Sequence, residues 1–337
     1  MGEREMKPNK WIVLLLSLLV MASLAGCGTK TSNTDGQNLT VNIGYIKNVA
    51  PSYLAKEKGF VEKQFAAKGA KVNWVEFQTG PEEFEALSAN HIDFLACGNT
   101  PVIVAQAAGI DFKIISLYSS GLKNNVLLLP KDSPITSIQE LKDKKIAVAK
   151  GSTSYNLIYR ALDQAGLQPS DVKLIQLAPS EAKPAFENGT VDAWGIWEPF
   201  ISTEQATVGA KILVSGEDLK MPSPNFTVAS TKFAKEHPEF VELYLKALDE
   251  AVAWQTQNQN EAVDLYAQVL KLDKAIVANI VKNTDFRNDP VSDDYIKEHQ
   301  KTADTLYDLG GVKNKVEVAK VIDNTFITRA KQETKTN

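Results

Sequence analysis

Cysteine and histidine are scarce in this 337-residue sequence, and their scarcity removes several kinds of chemistry. Two cysteines, Cys27 and Cys97, are too few for a disulfide framework or a multi-cysteine metal site. The three histidines, His91, His237 and His299, lie far apart and have neither metal-ligand spacing nor an evident nucleophile partner. No phosphate-cradling G-x-x-x-x-G-K-[ST] segment and no G-x-S-x-G elbow occurs. Charge is nearly balanced, with 37 Lys and Arg against 41 Asp and Glu for a net −4, so there is no basic footprint for nucleic acid. No apolar run reaches the ~20 residues of a spanning helix. The expectation is a protein that is not an enzyme and uses no cofactor.

What is present begins at the N-terminus. Arg4, Lys7 and Lys10 precede the apolar stretch Trp11 to Leu24, which leads into Leu24-Ala25-Gly26-Cys27. A charged region, a short apolar region and a small-residue cleavage site, in that order, form a secretory signal over residues 1–26. Leu-Ala-Gly-Cys resembles the lipobox of bacterial lipoproteins, which implies a lipid on Cys27 and a protein held at the outer face of the cytoplasmic membrane or in the periplasm. More than one acyl chain anchors stably, because each buried CH₂ contributes ~0.8 kcal/mol. Residues 27–38 are small and polar, as a flexible tether would be. With Cys27 lipidated, Cys97 is left as small buried packing.

From Leu39 to about Gln205, β-branched runs alternate with helical patterns, which predicts an α/β sheet architecture. The alternation repeats. Val41 to Ile46, Val72 to Phe77 and Ile92 to Ala96 are expected strands of a first copy, and Lys145 to Ala149, Val172 to Leu177 and Val191 to Trp194 those of a second. Asp93 and Asp192 hold equivalent places about a hundred residues apart, each after an Asn-containing turn. Two βαβαβα lobes with a cleft between them follow, since ligands of such sheets sit beyond the strands' carboxyl ends. The expected division is 39–124 for the first part of lobe 1, 125–224 for lobe 2, and 225–337 for a return to lobe 1 with C-terminal helices packed on it. Asn125 to Leu129 and Asn225 to Ser230 are the expected crossings, and hence hinges.

Three strand-to-helix loops carry small polar residues where backbone N–H groups should be exposed. In Cys97-Gly98-Asn99-Thr100-Pro101, Thr100 suits an N-cap and Pro101 the first helical position. In Lys150-Gly151-Ser152-Thr153-Ser154, hydroxyls and the free N–H groups of a helix start can hold an anion without a buried lysine. In Gly195-Ile196-Trp197-Glu198-Pro199, Trp197 offers an apolar wall and Glu198 an acceptor for a donor or cation. Any one of these loops is compatible with ordinary capping; their recurrence in a duplicated unit favours binding.

These segments, with Gly44-Tyr45-Ile46-Lys47 and Glu76-Phe77-Gln78-Thr79-Gly80-Pro81, are similar to those of the aliphatic-sulfonate-binding proteins of ABC importers, within the sulfonate, taurine and nitrate group. The resemblance runs from about Val41 to Asp304. It implies a two-lobed periplasmic-binding-protein fold of type II, acting as a monomer with a permease and its ATPase as partners and an alkanesulfonate as ligand. It also implies Asn99, Thr100, Ser152, Thr153 and Ser154 as contacts to the sulfonate, Trp197 and Glu198 beside the rest of the ligand, and Lys47 and Gln78 near the cleft. The family more often has Asp where this chain has Glu198, which leaves a plain alkanesulfonate, a zwitterion and a buffer-like sulfonate open. Taurine, nitrate and a thiamine precursor are alternative cargoes for the same fold.

Overall fold

The computed structural model of the protein describes residues 39–336. The expected signal over 1–26, the expected lipidation site Cys27 and the expected tether over 27–38 lie outside the described residues. Among those described, no helix is long and apolar enough to cross a membrane.

The first half of the chain lays down β1 (Thr40–Ile46), α1 (Pro51–Lys58), α2 (Phe60–Ala66), β2 (Lys71–Phe77), α3 (Gly80–Ser88), β3 (Phe94–Gly98), α4 (Asn99–Ala107) and β4 (Phe112–Ser120). A second run follows with β5 (Asn125–Leu129), β6 (Lys145–Val148), α5 (Thr153–Gln164), β7 (Lys173–Gln176), α6 (Pro179–Glu187), β8 (Ala193–Trp197), α7 (Phe200–Thr207) and β9 (Lys211–Ser215). The chain then returns through β10 (Asn225–Ser230), α8 (Thr231–Glu236), α9 (Pro238–Gln257), α10 (Gln259–Leu270), α11 (Lys274–Asn283), β11 (Asp285–Asp289), α12 (Asp293–Asp308) and α13 (Thr325–Thr336).

Two sheets result, of order β11-β4-β10-β3-β1-β2 and β7-β6-β8-β5-β9. Their centres match strand for strand. β2-β1-β3 and β7-β6-β8 are parallel, and each third strand then pairs antiparallel with one delivered from elsewhere, β10 beside β3 and β5 beside β8. The repeated aspartates explain part of the likeness. Asp93 Oδ2 accepts the Asn42 amide and Asp192 Oδ2 the Lys145 amide, each at 2.8 Å. Each aspartate's own amide also donates to the carbonyl of that same partner residue. The recurring Asp is thus a clamp that ties the start of the third strand to the first.

Burial on both faces, as parallel strands require, comes from helices of different origin. One face of the first sheet packs under α1, α2, α9 and α10, through Val41, Ile43 and Phe94 against Phe240, Tyr244 and Leu248. The other face packs under α3 and α4 through Leu95, Leu117 and Phe226. In the second sheet, Ile146 and Val148 meet Leu157 and Leu162 of α5, while Ala147 and Trp194 meet Phe186 of α6 and Ile201 of α7.

Several boundaries differ from those expected. Asn125–Leu129 and Asn225–Ser230 are fully paired strands, not free crossings, and the links between sheets are the residues just before them, 121–124 and 216–224. Neither link lies within a strand, and the Ser223 amide, donating to the Gly121 carbonyl at 3.0 Å, ties one link to the other. The helix after β3 starts at Asn99, with Gly98 at its N-cap position and no side-chain cap, so Thr100 lies inside the first turn. Among the C-terminal helices, Val318–Val321 forms only a short 3₁₀ turn, and α13 begins at Thr325. The edge strand β11, Asp-Phe-Arg-Asn-Asp, had no apolar alternation to announce it.

Candidate functional site

The three loops singled out from the sequence converge at the carboxyl ends of the two sheets. Between them lies a cavity of ≈ 110 Å³ whose lining includes Gly98, Ser152, Thr153, Trp197 and Glu198. The lining contains no lysine or arginine. Its polar character comes instead from two helix starts. Ser152 caps α5, its hydroxyl accepting the Tyr155 amide at 3.2 Å, and the chain reaches that cap through Gly151, whose φ of +76° suits glycine. The free amides in the first turns of α4 and α5, with the positive ends of both helix dipoles, are donors suited to an anion.

The expected site residues fall into three groups. Ser152, Thr153, Trp197 and Glu198 line the cavity. Asn99, Thr100 and Ser154 are fully buried behind it and do not line it. Asn99 works as a tie: its side-chain carbonyl accepts from Thr100 Oγ1 and Thr153 Oγ1, each at 3.4 Å, and its amide nitrogen donates to the Pro222 carbonyl at 3.5 Å. One side chain thereby joins the starts of α4 and α5 to a link between the sheets. Ser154 donates to Asn125 Oδ1 at 3.0 Å.

Lys47 and Gln78 form the third group, away from the lining. Lys47 is half exposed and paired with Glu76 at 2.8 Å. Gln78 accepts the Ser180 amide at 3.1 Å, so it joins the edge of α3 in the first half to the start of α6 in the second. A second approach between halves lies at Gly98, where a Cβ would meet Thr153 Oγ1 at 2.4 Å.

Glu198 is the one carboxylate of the lining. Burial pushes its pKa above the ordinary carboxylate value, opposed by hydrogen bonds from the Ser202 hydroxyl at 2.8 Å and the Ser202 amide at 3.1 Å. Burial also raises the Cys97 thiol and the Tyr118 phenol, which keeps both neutral at neutral pH.

Other lining residues were not foreseen: Ser119, Asn125, Asn225, Ile280, Thr284 and Phe286. A signal for two of them existed. Asn125 and Asn225 stand a hundred residues apart, each opening the strand that its sheet receives from elsewhere. Asn225 Nδ2 donates to Ser119 Oγ at 2.8 Å, which fixes its amide at the cavity wall.

Residues 35–271 match the NMT1-like family. The chain belongs to that family. Among its relatives, a protein of Bacillus subtilis (strain 168) with the provisional name aliphatic sulfonates-binding protein is 48% identical over 326 residues, which is 96% of this chain and 98% of the relative. Among solved structures, the alkanesulfonate-binding protein SsuA of Xanthomonas axonopodis pv. citri, bound to MOPS, superposes with a TM-score of 0.79 at 32% identity, covering 85% of this chain and 99% of that one. The periplasmic aliphatic sulphonate binding protein SsuA of Escherichia coli gives 0.70 at 34% identity, covering 86% and 99%. The fold of this NMT1-like protein is accordingly the two-lobed periplasmic-binding-protein fold, one lobe about each sheet, with the C-terminal helices on the lobe of β1.

Proposed function

We propose that this protein is the extracytoplasmic binding component of an ABC-type importer and that it captures alkanesulfonates for sulfur acquisition. The observation that carries the reading is the interlobe cavity: two helix starts supply donors for an anion, no fixed cation stands in the lining, and Trp197 gives an apolar surface beside them. A sulfonate needs several oriented N–H and O–H donors, and its organic group needs an apolar wall. The names carried by the Bacillus, Xanthomonas and Escherichia proteins point the same way.

Binding would proceed by capture and closure. The open lobes admit the anion to the starts of α4 and α5; closure about residues 121–124 and 216–224 brings Thr153 against Gly98 and Gln78 against Ser180. The permease and its ATPase then receive the closed, monomeric form, and no covalent step is involved. Ligand at a hundred times its Kd stabilises a protein by about 2.7 kcal/mol, a rise in melting temperature of roughly 5 °C for a chain of this size. Ethanesulfonate is expected to give such a shift where nitrate and a pyrimidine give none. A panel in which no sulfonate stabilises the protein overturns the reading.

Glu198 supports a second reading of the same site, in which the far end of the ligand carries an ammonium that its carboxylate receives. Taurine in the same panel separates the two.

Membrane attachment is also part of the proposal, with Cys27 as the acylated residue of the mature N-terminus. Cells grown in radiolabelled palmitate should label the wild-type protein and leave Cys27→Ala unlabelled; equal labelling of both refutes the anchor.

A further inference from the structure

The cavity has two chemically different ends, and backbone pairing sets the distance between them. Gly98 of β3 is in register with Asn225 of β10, Asn225 with Ser119 of β4, and Ser119 with Phe286 of β11. All four residues line the cavity. At ~4.8 Å per strand step, this row carries the cavity wall ~14 Å from the start of α4 to the edge of the sheet. Polarity changes along it, from the backbone donors near Gly98, through the Asn225–Ser119 hydrogen bond at 2.8 Å, to the Phe286 ring. Ile280, nearly fully buried on α11, and Thr284 join Phe286 at that far end. From the other lobe, α11 is met by α7, the helix that follows Trp197-Glu198-Pro199.

The far wall thus comes from residues 280–286, beyond the 35–271 span that matches the family. The loops that hold the anion lie within that span. Anion capture and the far limit of the organic group's space are therefore written in separate stretches of the chain, with Trp197 as the near apolar wall.

We infer that Ile280, Thr284 and Phe286 set the largest organic group this protein accepts, acting as a size gauge opposite the anion end. The inference rests on the proposed sulfonate reading. Each methylene of a ligand that finds room in an apolar wall tightens binding about fourfold, and the first that does not fit reverses the trend. Affinity along a homologous series should then rise to a limit and fall, and the limit should move when the wall moves.

The test is calorimetric titration of the wild-type protein, Phe286→Ala, Phe286→Leu and Thr284→Leu with methane-, butane-, hexane- and octanesulfonate. Phe286→Ala is expected to shift the best chain length upward by at least two methylenes, improving octanesulfonate relative to butanesulfonate about tenfold. Phe286→Leu should shift it in the same direction by less, and Thr284→Leu, which fills the end, should shift it downward. Should Phe286→Ala fail to fold, the two leucine variants read the same gauge in opposite directions. A wild-type protein that binds sulfonates while the variants keep its rank order, however much weaker overall, overturns the inference alone. A wild-type protein that binds no sulfonate overturns the functional reading and the inference with it.

Discussion

Gly98→Val is expected to weaken ligand binding by about 5- to 150-fold while leaving the fold intact. The backbone at Gly98 has φ −68° and ψ 169°, which any residue adopts, so the cost is not conformational. It is steric and lies between the lobes. A Cβ there would stand 2.4 Å from Thr153 Oγ1 and 3.4 Å from Asn225 Oδ1. Overpacking of this kind costs about 1–3 kcal/mol, and 1.4 kcal/mol is tenfold in affinity. Within one lobe the neighbours would have to absorb that strain, but here opening relieves it, so the penalty falls on the closed, liganded state. Thr153→Ala in the Gly98→Val background should recover part of the loss, since it removes the nearest atom. Calorimetry gives the affinities, and small-angle scattering with and without ligand shows whether the variant still closes. Wild-type affinity in Gly98→Val would mean that the bound lobes do not approach to this distance.

The same junction separates what is legible in a sequence from what is not. The loop Gly151-Ser152-Thr153 follows a strand and opens a helix within a few residues, so its cap and its free amides are local facts. Ser152 indeed caps α5. The paired Asp93 and Asp192 were visible for the same reason, as one local pattern written twice, and their reciprocal bonds to Asn42 and Lys145 give that pattern its cause. Strand order is not local. β10 arrives from the other lobe and inserts between β3 and β4, and only this insertion places Gly98, Asn225 and Ser119 in one row. Residues 280–286 reach the cavity because β11 adds to the sheet edge beside β4, a pairing that a charged five-residue strand does not advertise. Lys47 and Gln78 lie close in sequence to cavity residues, yet their side chains serve an ion pair and a bridge between lobes. Asn99 and Ser154 were singled out for their polarity, and that polarity is spent on ties between segments rather than on the lining.

Glu198 supplies the second large effect, because it sets a carboxyl group in a cavity suited to an anion. Burial raises its pKa above the ordinary 4.5, and the two donors from Ser202 only partly offset that rise. The sign follows from the charged form being the disfavoured one. Below the raised value the group is neutral; as pH climbs through it, a buried negative charge appears, and the folded protein loses stability over the window from the ordinary value upward. A sulfonate stays anionic throughout. Two like charges ~6–8 Å apart at an effective dielectric constant of ~20 repel by about 2–3 kcal/mol, which is about 30- to 150-fold in affinity. Ethanesulfonate should therefore bind more weakly as pH rises through the Glu198 transition. Taurine, whose ammonium remains charged over the same range, should bind more tightly. Glu198→Gln keeps an acceptor for Ser202 and removes the titration, so it should flatten both profiles, improve ethanesulfonate above the transition by at least tenfold, and weaken taurine. Titrations from pH 4.5 to 8.5 with both ligands read the effect directly. A Glu198→Gln protein whose two profiles parallel those of the wild type would place the titrating group elsewhere and remove the carboxylate from ligand selection.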